Sequence, residues 1–171
     1  LEAFQVDYEV KEISLYGANG KPDWFRRLNP KGTVPVLQYK DQVYADSDLI
    51  LDAIERGQVP SVYNNHHDDD TTVWRTLINS QLLQHGKEAV LQSRITKQLK
   101  DVLQEIDQTI ETPYLLGIDL TTADCHAFPF LWRMDQEFDL QMYSNLSGWL
   151  RKCQSHPSVQ TTIQPNWWFW W

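Results

Sequence analysis

Between Lys31 and Ile50 the sequence reads KGTVPVLQYKDQVYADSDLI, and two of its features can hold a ligand. Val34-Pro35 opens the first of two short apolar runs, and Asp46-Ser47-Asp48 follows the second. An acid and a hydroxyl at the start of a helix suit a zwitterion. Free N–H groups and the helix dipole favour an anion, so Ser47 and its backbone fit a carboxylate while Asp46 fits an ammonium. A strand can begin with proline where the missing N–H is not needed for the ladder. If the Val34-Pro35 bond is cis, the N–H and C=O of Val34 turn outward and can pair with a short peptide lying alongside. A ligand with a peptide middle and an amino-acid-like end answers both features. Plainer roles stay open on these residues alone: a trans proline on an edge strand, and a serine that only caps its helix.

The elements around this stretch read as a small α/β unit. LEAF (1–4) resembles the end of a helix, and DYEVKEISL (7–15) alternates as a strand does, with Tyr8, Val10, Ile13 and Leu15 apolar. YGANGKP is turn chemistry, and PDWFRRLNP is a short helical turn that opens on Pro22 and closes at Pro30. Residues 34–39 and 42–45 are strand-like and joined by Lys40-Asp41, which suits a tight hairpin. Ser47 is expected to cap the helix SDLILDAIERG, which carries Leu49, Ile50, Ala53 and Ile54 on one face and stops at Gly57.

Composition changes at VPSVYNNHHDDDTT, a polar stretch that reads as a linker. The expected division is therefore a first domain over 1–58, a linker over 59–71 and an all-helical domain over 72–171. Helical spacing is strong in VWRTLINSQLLQHGKEAVLQ and in ITKQLKDVLQEIDQTIE. Further helices are expected from Thr121 and across SNLSGWLRKCQSHPSV. The fold class is α/β plus all-α.

At 171 residues the chain can bury a real core. Its net charge of −8 argues against nucleic acid as a partner, because that binding needs a basic surface to displace counterions. No apolar run approaches the ~20 residues needed to span a bilayer. No signal peptide is visible. Cys125 and Cys153 are too few for a disulfide scaffold and lack zinc-type spacing, which favours a reducing compartment such as cytoplasm or an organelle stroma or matrix. His66-His67-Asp68-Asp69-Asp70 matches no defined metal site, so no metal is expected. His85 and His126 are read as packing residues on helices. The tail PNWWFWW is an aromatic cluster. Trp167, Trp168, Phe169, Trp170 and Trp171 could dock on a protein partner, sit at a membrane interface or fold back on the helices.

NPKGTVPVL followed by ADSDLILDAIE resembles the glutathione-binding half of the glutathione transferase superfamily. YLLGIDLTTADCHAFPFLWRM is similar to that family's LxGxxxTxADxxxxPxL signature, and WLRKCQSHPSV to the segment that ends its core. The run KPDWFRRLNPKGTVPVL with ADSDLI is most similar to the dehydroascorbate reductases and their chloride-intracellular-channel-like relatives.

The resemblance implies a thioredoxin-like N-terminal domain, with its first strand absent from the given chain, followed by a helical bundle. It implies glutathione as co-substrate, with a small electrophilic or oxidised second substrate. Lys21 would meet the glycine carboxylate, Val34 beside Pro35 the cysteine unit, and Asp46 with Ser47 the γ-glutamyl end. Thr121 and Asp124 would form a capping box. The activity implied is glutathione-dependent thiol transfer, dehydroascorbate reduction or conjugation. The alternative is a non-catalytic, transferase-like subunit of a larger assembly. The family places its reactive cysteine, serine or tyrosine in or just after the first strand. The chain opens on Leu1, so no residue of it is assigned as nucleophile; either residues upstream or a degenerated first domain is expected. Cys125 and Cys153 are poor substitutes, since free cysteines in helical segments usually act as small buried hydrophobes.

Overall fold

A computed structural model describes residues 1–14, 20–62 and 69–163 of the chain. The chain divides into two compact units that part between residues 67 and 68.

The first unit opens with a 3₁₀ turn, Glu2–Phe4, whose Phe4 is buried together with Val6. The strand expected over 7–15 is not formed in residues 7–14, and Leu15 lies outside the described residues. The physical reason is the missing partner. A strand is held by ladder hydrogen bonds, and among the described residues the one ladder joins two other segments. Tyr8 and Val10, half of the alternating apolar set, are exposed.

Helix α1 (Asp23–Leu28) buries Phe25 and has Pro22 at its N-cap, φ −64°, one position earlier than the sequence suggests. Asn29 is its C-cap, with its N–H on the Phe25 carbonyl. Strands β1 (Leu37–Tyr39) and β2 (Gln42–Tyr44) form an antiparallel hairpin in the register Leu37↔Tyr44, Gln38↔Val43, Tyr39↔Gln42. Its two-residue loop puts Lys40 at φ 54°, the left-handed geometry that tight hairpins need and that usually falls to glycine or asparagine. The paired strands are shorter than the apolar runs.

Helix α2 (Ser47–Glu55) is capped by Asp46, not by Ser47: the Asp46 Oδ1 accepts from the Asp48 N–H at 2.9 Å. Aspartate and serine are equally good caps, and the extended backbone at Asp46 decides between them. Ala53, Ile54 and Val59 are buried, whereas Leu49 is exposed. Val59 thus belongs to the first unit's core, and the polar stretch that follows is described only at 60–62 before residue 69.

The second unit is helical. α3 (Asp69–Leu77) runs through a π-helical turn, Ile78–Leu82, into α4 (Leu83–Gln92). α5 (Lys97–Thr109) is capped by Thr96, whose Oγ1 accepts from the Leu99 N–H at 3.2 Å. α6 (Thr122–Phe138), α7 (Ser144–Gln154) and α8 (Pro157–Thr162) complete it. Trp74, Ile78, Leu82, Leu99, Leu103, Ile106, Leu131, Met134, Leu146 and Trp149 form one continuous core. Gly86 lets α4 lie close to α6, since a Cβ there would stand 3.2 Å from Met134 Sδ. Pro129 sits inside α6, where its ring removes one backbone bond. Burial of Phe128 and Leu131 on either side holds the helix together through that gap.

Asp124, with no exposed surface, ties the unit together. Its Oδ1 accepts from the Leu115 N–H and from Trp149 Nε1, each at 2.8 Å. Its Oδ2 accepts from the N–H and the hydroxyl of Thr121, each at 2.8 Å. The carboxylate thereby joins the loop before α6, the start of α6 and the middle of α7. Asp124→Ala strands several buried donors at a cost of on the order of 1–3 kcal/mol each. The expected loss is at least ~3 kcal/mol, a large share of a typical domain's stability, read as a lowered urea midpoint. A loss under ~1 kcal/mol contradicts this account of the buried carboxylate.

Candidate functional site

The candidate ligand groups all belong to the first unit, and the hairpin register arranges most of them. Leu37↔Tyr44 is the last paired rung. Beyond it, Val34-Pro35 and Asp46-Ser47 leave the same open end of the hairpin, one pair running into β1 and the other running out of β2. The Val34-Pro35 peptide bond is cis.

What these residues leave unused defines the site. Among the described residues, the N–H and C=O of Val34 make no backbone hydrogen bond. Ser47 is exposed at the first position of α2, where helical N–H groups have no intrahelical acceptor. Asp46 spends one carboxylate oxygen on its cap and is exposed. Lys21 lies across the loop that leads to Val34: a Cβ on Gly32 would stand 3.0 Å from Lys21 Cδ and 3.4 Å from its Nζ. Gly32 itself has φ 67°, a conformation suited to glycine. Arg26 Nε donates to the Lys21 carbonyl at 3.2 Å and fixes the backbone of that lysine.

Asn29 and Gly32 were not singled out by sequence reasoning, yet they build this loop. The Asn29 carboxamide is buried, and its Nδ2 donates to the Thr33 carbonyl at 2.9 Å and to Thr33 Oγ1 at 3.2 Å. The Gly32 N–H closes the turn on the Asn29 carbonyl at 2.9 Å. The Asn-Pro pair signals a turn, but nothing in the sequence signals that the asparagine faces inward.

The candidate groups lie along an edge of the hairpin. One cleft is lined by Val6, Tyr39, Val59 and Pro60, and another by Asp135, Gln141, Ser147 and Arg151; neither includes Lys21, Val34, Pro35, Asp46 or Ser47. A free backbone amide near an exposed helix start suits an extended peptide with a charged end.

In the helical unit, Cys153 is fully buried and burial raises its thiol pKa above the ordinary value. Burial likewise pushes the Cys125 thiol up to about 12. His126 is buried, its Nε2 is 3.0 Å from Asn79 Oδ1 in the π-helical turn, and its ring meets Phe130 edge-on. No cluster of three metal-ligating side chains occurs among the described residues. The stretch His66-His67-Asp68 lies outside those residues, as does the aromatic tail. No helix among the described residues is long and apolar enough to cross a membrane.

The family model described as Glutathione S-transferase, N-terminal domain, matches residues 1–57, and that described as Glutathione S-transferase, C-terminal domain, matches residues 71–157. The chain belongs to the glutathione S-transferase family. Its thioredoxin-like N-terminal domain and helical C-terminal domain are those of that fold. The chain is 31% identical over 156 residues to the probable glutathione S-transferase DHAR2, chloroplastic, of Oryza sativa, a match covering 86% of this chain and 52% of that relative. It is 27% identical to the probable glutathione S-transferase DHAR1, cytosolic, of the same plant, covering 87% of this chain and 67% of the relative. It therefore spans about half the length of the first relative. Among solved structures, glutathione transferase Omega 3C from Trametes versicolor superposes with a TM-score of 0.77 at 20% identity, over 95% of this chain and 80% of that one. A glutathione S-transferase from Actinobacillus pleuropneumoniae gives 0.71 at 20% identity, over 98% and 90%.

A transferase needs a thiolate or a group that makes one, and neither described cysteine is a thiolate near neutral pH. A raised thiol pKa favours the protonated form in the folded state. The associated stability is full below the ordinary value near 9.0 and is lost as pH climbs toward 12. Iodoacetamide at pH 8 is expected to leave the buried Cys153 unmodified in the folded chain, to label the half-buried Cys125 only slowly, and to label both in urea, as read by intact mass. Rapid labelling of Cys153 in the folded chain contradicts its burial.

Proposed function

We propose that this chain binds glutathione along the edge formed by Val34-Pro35 and the start of α2, and that the protein uses it in glutathione-dependent transfer or reduction of the dehydroascorbate-reductase kind. The observation that carries the reading is the set of open groups at one end of the hairpin: an unpaired Val34 amide beside the exposed N-terminal residues of α2. Glutathione is γ-glutamyl-cysteinyl-glycine, and each part has a counterpart. The α-ammonium of the γ-glutamyl unit meets Asp46, while its α-carboxylate meets the Ser47 hydroxyl and the first N–H groups of α2. The cysteine unit pairs through its backbone with Val34, as an added strand does. The glycine carboxylate meets the Lys21 ammonium. The DHAR proteins among its relatives favour the reductase branch for this chain.

Chemistry follows from what such binding does to the thiol. An extended ligand held at three points presents its sulfur in one orientation, so the entropy of alignment is lost on binding and not in the reaction. The described residues bind and orient; none of them is assigned as the group that activates the thiol.

A second reading rests on a specific observation: Cys153 is buried and Cys125 half-buried, and the thiol pKa of each is raised. In it the same edge binds glutathione in a non-catalytic subunit of a larger assembly. Reduction of dehydroascorbate by glutathione, assayed with the full-length protein, separates the two.

Titration calorimetry with reduced glutathione tests the site. Asp46→Asn keeps an acceptor for the Asp48 N–H and removes the charge, and Ser47→Ala removes the hydroxyl. Each is expected to weaken binding about tenfold, since a hydrogen bond to a charged group is worth ~1.5–3 kcal/mol. The melting temperature should move by no more than about 3 °C. Wild-type chain that takes up no glutathione, or both variants binding it unchanged, removes this assignment.

A further inference from the structure

The loop between α1 and β1 does more than connect them. Asn29 is buried at 3% exposure, and its carboxamide Nδ2 donates to both the carbonyl and the hydroxyl of Thr33, the residue before Val34. A buried carboxamide that gives both its protons to one residue fixes that residue's position, and through it the peptide plane of Val34. On the other face of the same turn, the absent side chain of Gly32 is the seat of Lys21, whose Cδ and Nζ lie 3.0 Å and 3.4 Å from where a Cβ would stand. Arg26 holds the carbonyl of Lys21 from the helix side. One turn therefore sets two ligand groups at once: an amide that faces along the edge and an ammonium beyond it.

We propose that the turn 29–33 is a bracket that positions the cysteinyl-glycine half of glutathione, Asn29 by fixing the Val34 amide and Gly32 by seating the Lys21 ammonium. Asn29 and Gly32 touch no ligand in this arrangement; they are positioning residues. The inference rests on the glutathione-binding reading above and adds a division of labour to it. The bracket governs the half of the ligand beyond the sulfur, and the start of α2 governs the γ-glutamyl half.

That division has a direct test, because γ-glutamylcysteine is glutathione without its glycine. Calorimetric titration of the full chain with reduced glutathione and with γ-glutamylcysteine gives a preference ratio. Wild type is expected to favour glutathione about tenfold, the value of one charge-assisted contact. In Gly32→Ala the new methyl displaces the Lys21 stem. Glutathione binding is expected to weaken about tenfold while γ-glutamylcysteine changes less than about twofold, which erases the preference. Lys21→Ala is expected to reproduce that pattern. Asn29→Asp replaces the donor with a carboxylate facing the Thr33 carbonyl, and both ligands are expected to weaken about tenfold with their ratio kept. Should Asn29→Asp fail to fold, Thr33→Ala at an exposed position removes one of the two acceptors and is expected to weaken both ligands about two- to threefold.

A Gly32→Ala chain that keeps the wild-type preference overturns the seat. An Asn29→Asp chain, or Thr33→Ala in its place, that binds both ligands as wild type does overturns the clamp. Ser47→Ala distinguishes these failures from failure of the site itself. If it weakens both ligands while the bracket variants do nothing, glutathione still binds and only the bracket is wrong. If the wild type binds neither ligand, both proposals fall.

Discussion

A buried carboxylate organises the helical half of this protein. Asp124 accepts four hydrogen bonds, two on each oxygen, from a loop, a helix start and a tryptophan on another helix. Moving a carboxylate out of water costs several kcal/mol, and donors on every side are what make that tolerable. The requirement works in reverse as a constraint. Leu115, Thr121 and Trp149 have one joint arrangement that satisfies the charge, so the loop before α6 and the packing of α7 are set together. Neighbouring groups feel the same environment. Burial raises the pKa of Tyr114, and the Asp124 carboxylate adds to it. Lys152 lies over the Tyr114 ring, its Nζ 5.6 Å from the centroid.

The other unit distributes its polar groups differently, and that difference carries the functional reading. Asn29, Thr33 and the Lys21 carbonyl are tied to one another or to Arg26. The Val34 amide is not tied to the backbone, although it lies immediately beyond the part of the loop most firmly held. A rigid support beneath an open edge is the arrangement that lets a flexible ligand gain orientation without the protein losing entropy of its own. The two units thus use the same chemistry for opposite ends: complete satisfaction around Asp124, and deliberate openness beside Pro35.

Much of the architecture was legible along the chain. The helices of the second unit follow from 3.6-residue spacing of Trp74, Leu99, Val102, Leu103, Ile106 and their neighbours, and these residues are buried. The capping relation of Thr121 and Asp124 was legible as a motif, but the bonds to Leu115 and Trp149 were not, because those donors are distant in sequence. The strand pattern at 7–14 was legible and did not form. Alternation describes a face that a strand could bury, whereas a strand exists only where another chain segment completes its ladder. The cap of α2 moved from Ser47 to Asp46, since either side chain can cap and the backbone geometry chooses. For the candidate site, Val34, Pro35, Asp46 and Ser47 were marked by type and by resemblance, and Lys21 by resemblance alone. The bracket beneath them was not, because burial of Asn29 and the space above Gly32 depend on packing.

Local preference by itself therefore determined which stretches become helices, most of the residues that face the helical core and which short stretches bear groups able to hold a charged ligand. Those properties depend on neighbours three or four residues away and are written in order along the chain. Only the tertiary structure decided which alternating segment gains a partner strand, which two donors reach Asp124 from afar, and which side chain the bare Gly32 accommodates. Each of those outcomes is a contact between atoms that no spacing rule brings together, and its energy exists only once the fold has placed them within reach.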